Sequence, residues 1–124
     1  MTDETVLFDS NIIIDALNGV KAGRQELRAS NDPAISIVSW IEVLAGCPSP
    51  EAEVRARALL SSIAILPLTE DVAEPAVTIR RATRLKLPDA IILATARVHG
   101  LTLSTRNTRD FRPDFPEVRI PYQL

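Results

Sequence analysis

Short apolar runs alternate with longer stretches of helical period along this chain. Val6-Leu7-Phe8 reads as a short buried strand. A helix follows, with Ser10 or Asn11 as its N-cap, an apolar Ile12-Ile13-Ile14 start and Gly19 as its stop. A second helix is predicted over about 21–29. Ala34-Ile35-Ser36-Ile37-Val38, rich in β-branched residues and preceded by the turn-forming Asn31-Asp32-Pro33, reads as the next strand. A helix from about Ser39 to Ala45 then ends near Gly46 and Pro48. Ser49-Pro50-Glu51 combines a capping serine, a proline at the first helical position and an acid in the first turn, and opens a helix running to about Ser62.

Ile63-Ala64-Ile65-Leu66 is a third short strand. Thr69-Glu70-Asp71 starts another helix by the same logic, reaching about Leu85, with Pro75 in its first two turns as a point of bending or delay. Pro88-Asp89 begins a helix whose residues 90–98 are mostly apolar, which predicts burial on most faces before a stop near Gly100. Leu101-Thr102-Leu103 is a fourth strand, and Val118-Arg119-Ile120 a candidate fifth. Strand–helix alternation predicts an α/β fold with a mainly parallel sheet covered on both faces. At 124 residues, without repeats or a linker, the chain is expected to form one domain over residues 1–124.

In such sheets, sites form at the carboxyl ends of the strands. Asp9 follows the first strand, Ser39 the second with Glu42 one helical turn on, and Ser104-Thr105-Arg106-Asn107 the fourth. Asp89 opens a helix that runs antiparallel to the strands, so its first turn lies at the same edge. Asp9, Glu42, Asp89 and the segment 107–110 are thus expected to face one cleft. Gathered carboxylates repel each other unless neutralised. A hard divalent cation with oxygen ligands, Mg²⁺ or Mn²⁺, does this and can activate a water against a phosphodiester.

Each residue also has a purely structural reading. Asp9 serves as a cap or turn residue, Ser39-x-x-Glu42 matches a capping box, Asp89 suits a first helical turn, and Asn107 and Asp110 suit a turn. Asp15 reads as a solvent-facing helix residue, Trp40 as core or interface, and His99 as a helix C-terminal cap. What these readings leave unexplained is the convergence of the acids on one edge.

Charge sharpens the picture. The net charge of −2 argues weakly against a nucleic-acid partner, but its distribution is uneven. Residues 1–79 carry twelve acids and five bases; residues 80–112 carry eight bases (Arg80, Arg81, Arg84, Lys86, Arg97, Arg106, Arg109, Arg112) against Asp89 and Asp110. A local basic surface is what phosphate contact requires, and a solvated arginine-rich helix face is the plainer alternative. No apolar run approaches the roughly 20 residues that span a bilayer. The acidic start Met1-Thr2-Asp3-Glu4-Thr5 does not read as a signal peptide, and Cys47 is the only cysteine. These features fit a cytoplasmic protein without a disulfide or a cysteine-rich zinc site.

Four stretches together resemble the motifs of PIN domains, in family order and almost end to end. They are Val6-Leu7-Phe8-Asp9-Ser10-Asn11-Ile12-Ile13-Ile14-Asp15, Ser39-Trp40-Ile41-Glu42-Val43-Leu44-Ala45-Gly46, Leu87-Pro88-Asp89-Ala90-Ile91-Ile92-Leu93-Ala94-Thr95-Ala96, and Leu103-Ser104-Thr105-Arg106-Asn107-Thr108-Arg109-Asp110-Phe111. The resemblance implies a three-layer α/β/α sandwich around a short parallel sheet and Mg²⁺- or Mn²⁺-dependent endoribonuclease activity. Carried over by motif, Asp9 and Asp89 are direct metal ligands, with Glu42 binding directly or through water. Many relatives have an aspartate where this chain has Asn107, which leaves the fourth ligand open between Asn107 and Asp110. Ser10, Asn11, Ser39 and Thr105 are implied as hydrogen-bond partners that hold the carboxylates. Arg106 and Arg109 are implied contacts to RNA or to an antitoxin.

The small size is closest to VapC-type toxins. That implies a homodimer and a VapB-type antitoxin that blocks the cleft, with DNA reached only through the antitoxin. A non-catalytic PIN-fold binding module and a PIN ribonuclease of RNA processing are the alternatives within the family. A haloacid-dehalogenase-type phosphohydrolase also places an aspartate after its first strand, but requires a second two residues on, where this chain has Asn11.

Overall fold

The computed structural model describes residues 5–111 and 115–124. Arg112 of the basic stretch and the first four residues of the acidic N-terminus lie outside the described residues. Strands β1 (Val6–Phe8), β2 (Pro33–Ser36), β3 (Ala64–Leu66), β4 (Thr102–Ser104) and β5 (Val118–Arg119) form one sheet in the order β3-β2-β1-β4-β5. Every pairing among them is parallel. Six helices connect them: α1 (Ser10–Leu17), α2 (Lys21–Ala29), α3 (Ile37–Ala45), α4 (Pro50–Leu60), α5 (Glu70–Ala82) and α6 (Leu87–His99). Among the described residues no helix is long and apolar enough to cross a membrane.

The period-two alternation of the strands separates two cores. Leu7, Ala34 and Leu103 pack on one side against Val72, Ala76 and Ile79 of α5 and Ile92, Leu93 and Ala96 of α6. Val6, Phe8 and Ile35 pack on the other against Ile12 and Ile13 of α1, Val43 of α3, and Ala56 and Leu60 of α4. The result is a three-layer α/β/α sandwich. Helix α6 buries Ala90 and residues 92–96, as its nearly continuous apolar sequence predicts. It ends at Gly100, whose φ of 65° lies in the left-handed region that a side chain would strain.

Several boundaries differ from expectation, the larger ones for local reasons. The N-cap of α1 is Asp9, not Ser10 or Asn11: its carboxylate accepts the Ser10 amide. Strand β2 stops at Ser36, because the Ser36 hydroxyl accepts the Ser39 amide and turns Ile37-Val38 into the first turn of α3. Ser39 is therefore inside the helix, and the capping box Ser39-x-x-Glu42 is not formed. Helix α5 ends at Ala82, short of Leu85, where the Thr83 hydroxyl donates to the Ile79 carbonyl and accepts the Leu85 amide; Pro75 is accommodated within it. Thr69 caps α5 by position without a side-chain hydrogen bond. Strand β4 is shifted one residue on, to Thr102–Ser104, by its register with β1, in which Val6 faces Thr102 and Phe8 faces Ser104.

Helices α1 and α2 meet at Gly23. A Cβ there would lie 3.0 Å from the Ala16 nitrogen, 3.0 Å from the Asp15 Cβ and 3.1 Å from the Tyr122 hydroxyl. Backbone and a hydrogen-bonded phenol cannot yield as a free side chain does. Overpacking of this kind costs roughly 1–3 kcal/mol, which the roughly 1 kcal/mol helix preference of alanine only partly offsets. Gly23→Ala is expected to lower stability by about 1 kcal/mol, read as a lower urea midpoint at unchanged slope; an unchanged or higher midpoint would show that the helices separate freely.

Candidate metal centre

The strand order reverses direction between β1 and β4, and the loops leaving these two strands diverge to open a cleft. Register does the rest. Phe8 faces Ser104, the Asp9 amide donates to the Ser104 carbonyl at 3.0 Å, and the next residue of each strand, Asp9 and Thr105, becomes a neighbour. The Thr105 hydroxyl donates to Asp9 Oδ2 at 2.8 Å. Asn11 Nδ2 reaches the same oxygen at 3.2 Å, and the Ser10 amide reaches Oδ1 at 2.8 Å. Three donors therefore fix a carboxylate that is 4% exposed.

A cleft of about 220 Å³ opens beside Asp9, lined by Ser10, Asn11, Glu42, Lys86, Pro88, Asp89, Asn107 and Asp110. Asp89 stands in the first turn of α6 and is half-buried; Glu42, in α3, is the most open of the acids. Four carboxylates thus face one cation, Lys86, among the described lining residues. The electrostatic consequence is visible in each acid. Burial pushes the Asp9 carboxyl above the ordinary carboxylate range, against the pull of Thr105, Ser10 and Asn11. Burial and then the charge of Asp9 raise Glu42, while the Ser10 hydroxyl beside it favours the ionised form. Asp89 is raised to about 6, by burial first and then by Asp9, Asp110 and Glu42, with Lys86 opposing.

This donor set fits a hard cation. Among the described residues no three Asp, Glu, His or Cys side chains close into a ligand cage. The carboxylates line an open cleft instead, an arrangement suited to Mg²⁺, which keeps several waters and takes one or two carboxylates.

The other sequence-predicted site residues divide. Asn107 and Asp110 clasp each other: Asn107 Nδ2 donates to Asp110 Oδ2 at 3.0 Å, and the Asp110 amide donates to Asn107 Oδ1 at 3.2 Å. Ser39 is fully buried and its hydroxyl has no hydrogen-bond partner, so its hydroxyl does not hold a carboxylate. Arg109 is exposed and does not line the acid cleft, though it lines a neighbouring cavity with Asp110. Arg106 points inward, its Nε and Nη2 donating to the two oxygens of Asp15 at 2.7 and 2.9 Å. Asp15 is 5% exposed and not solvent-facing, and it also accepts the Tyr122 hydroxyl at 2.7 Å. Burial alone would raise its carboxyl, but the hydrogen bonds from Arg106 and Tyr122 and the guanidinium charge bring it below the ordinary range.

This pairing reaches the site through the backbone. The Arg106 amide donates to Asn11 Oδ1 at 3.1 Å, and the amide group of Asn11 in turn holds Asp9. Asn11 and Asp15, four apart on α1, share a helix face, and that spacing was the available sequence signal for Asp15. Lys86, the cleft cation, was signalled only by its place three residues before Asp89. Trp40 packs at the edge of the second core with Arg57 over its ring at 5.6 Å, and the His99 side chain is exposed at the end of α6.

Comparison with known proteins bears on the family and the fold. A PIN domain family profile matches residues 6–116. Ribonuclease VapC10 of Mycobacterium tuberculosis is 36% identical over 127 residues, covering 96% of this chain and 94% of that protein. A toxin–antitoxin complex from Klebsiella pneumoniae contains a chain 45% identical, with a TM-score of 0.89 over 96% of this chain and 99% of that one. DNA-bound VapBC from Salmonella typhimurium, 22% identical, shares the fold with a TM-score of 0.75 over 97% of this chain and 98% of its own. The chain belongs to the PIN-domain family, among its VapC-type members.

The raised acids carry a stability consequence. Asp89 binds its proton more tightly folded, at about 6, than unfolded, near 3.8, so its contribution is fully present below the unfolded value and is lost as pH rises through about 6. Asp15 works the other way and loses its contribution as pH falls below the ordinary carboxylate range. The metal-free protein is therefore expected to melt higher near pH 5 than at pH 7. Asp89→Asn should raise the melting temperature at pH 7 by about 2–5 °C and flatten that slope. A melting temperature that rises steadily from pH 5 to 7, or falls in the variant, would contradict the electrostatic reading.

Proposed function

We propose that the chain is a Mg²⁺- or Mn²⁺-dependent endoribonuclease, acting as the toxin of a toxin–antitoxin pair. The observation that carries this is the convergence of Asp9, Glu42, Asp89 and Asp110 on one cleft whose negative charge the protein itself does not balance. Asp9 and Asp89 would hold the ion, and Glu42 would contact it directly or through water. When bound there, the ion would supply Lewis-acid chemistry for water attack on the phosphodiester.

The chain's own residues set the conditions for this. Thr105, Asn11 and the Ser10 amide hold Asp9 in one orientation, so little reorganisation is left for the moment of reaction. The Asn107–Asp110 clasp occupies Asp110 Oδ2 with an amide, which favours three acids rather than four as the ligand set. Lys86, beside Asp89 in the cleft, offers a charge for the substrate phosphate. The chain works as one PIN domain in the cytoplasm.

A partner is supported on another face. Leu17, Leu27 and Leu59 floor a groove rimmed by Arg24, Arg28 and Arg55. An amphipathic antitoxin segment with acidic residues suits it, and DNA is reached through that antitoxin. VapC10 is a ribonuclease by name, and the Klebsiella relative is part of a toxin–antitoxin complex. A homodimer of such chains is part of this reading.

Purified protein incubated with structured RNA is expected to cleave it in Mg²⁺ or Mn²⁺ and not in EDTA. A folded Asp89→Asn variant should cleave more slowly by roughly two orders of magnitude or more, since an ion-holding carboxylate serves both binding and the transition state. Cleavage that survives EDTA and the substitution would contradict the mechanism. A folded, antitoxin-free protein that cleaves none of a broad RNA panel would favour the binding module.

A further inference from the structure

A second cavity, of about 630 Å³, lies beside the acid cleft and shares Asp110 with it as a common wall. It is lined by Arg84 and Leu85 from the segment between α5 and α6, and by Arg109 and Phe115 beyond β4. Its volume falls in the range of about 300–1,000 Å³ that takes one small organic ligand.

Among the described arginines without an ion pair or a side-chain hydrogen bond, which also include Arg28, Arg55, Arg80 and Arg81, Arg84 and Arg109 are the two that line this cavity. Arg57, Arg97, Arg106 and Arg119 are paired with Glu53, Glu117, Asp15 and Glu26. Arg84 and Arg109 are exposed and, among the described residues, have neither an ion pair nor a hydrogen bond. Their forks are free for an oxyanion, and the guanidinium plane matches phosphate geometry. The cavity also has an apolar side: Leu85 is buried, and Phe115 is a half-buried aromatic packed against the first core. Bases stack on such a surface irrespective of sequence, and pocket shape adds preference. A polyanion approaching four carboxylates is repelled, so a chain that threads the cleft requires cationic anchorage next to it.

We propose that this cavity seats the nucleotide flanking the scissile phosphate, with Arg84 and Arg109 gripping its phosphate and Phe115 with Leu85 packing its base. The inference rests on the ribonuclease reading and adds to it a determinant of which RNA is cut.

The test is made without metal, so that binding is read apart from cleavage. ¹⁵N-labelled protein in EDTA is titrated by NMR with the four ribonucleoside 5′-monophosphates and, separately, inorganic phosphate. Saturable shifts are expected at Arg84, Leu85, Arg109 and Phe115, with affinity differing among the bases. The double variant Arg84→Ala/Arg109→Ala should weaken binding by about tenfold or more. Phe115→Leu should weaken nucleotides by about fivefold while leaving inorganic phosphate unchanged. Because both arginines are exposed, the double variant keeps the parent's melting temperature.

Absence of saturable shifts, or shifts confined to the acid cleft, would overturn the proposal. So would phosphate and all four nucleotides binding alike without regard to Phe115, which would leave an anion site only. A double variant that keeps its nucleotide affinity but loses an acidic antitoxin peptide would assign the cavity to a protein partner and also overturn it. Nucleotide binding in a chain that cleaves no RNA would remove the ribonuclease reading and leave the nucleotide seat. RNA cleavage whose KM is unchanged in the double variant would remove the seat and leave the ribonuclease.

Discussion

The buried carboxylate of Asp9 is the point on which the architecture turns. A carboxylate at the end of a central strand, sealed from water, is unstable unless its charge is met. Here the sheet and the helix cap meet it in part. Register between β1 and β4 brings Thr105 alongside, the cap of α1 supplies the Ser10 amide, and Asn11 adds a third donor while tying the following loop to the helix through the Arg106 amide. These groups are supplied by a helix and by the end of a neighbouring strand, so the orientation of Asp9 is a property of the fold rather than of one flexible side chain.

From that fixed charge the rest of the cleft follows. Asp89 and Glu42 are brought near it by α6 and α3, and each is made harder to ionise by its presence. Left alone, the arrangement lowers stability at neutral pH; on the proposed function, a bound cation would remove the conflict, and affinity for it would arise from this strain in the metal-free fold. The strain is contained by a network behind the site. Asp15, Arg106 and Tyr122 link α1, the loop after β4 and the C-terminal segment, and Gly23 lets α2 close over them. A pair of this kind, with one member almost fully enclosed, contributes to a unique geometry more than to net stability.

Much of this was legible in the sequence where chemistry and topology coincide. The apolar run before Asp9, the Pro88-Asp89 helix start and the all-round apolar α6 each carry their own signal, and the parallel sheet follows from alternation. The shift of Ser39 into α3 was not legible, because Ile37-Val38 has the local preference of a strand and only the Ser36 hydroxyl, acting across the turn, decides otherwise. Nor was the fate of Arg106 and Asp15: both are charged, and charge predicts exposure unless the partner 91 residues away is known. The clasp between Asn107 and Asp110 could be suspected from turn propensity, but its effect on the ligand set depends on side-chain direction. Long-range pairing, not secondary structure, is what the sequence withheld.

The most direct measurement of the central claim is the position of the ion. Crystals of the protein equilibrated with Mn²⁺ and measured at the manganese absorption edge should show an anomalous peak in the cleft, within coordinating distance of Asp9 and Asp89. Its absence at millimolar Mn²⁺, or its appearance elsewhere on the molecule, would contradict the assignment of this edge of the sheet as a metal centre.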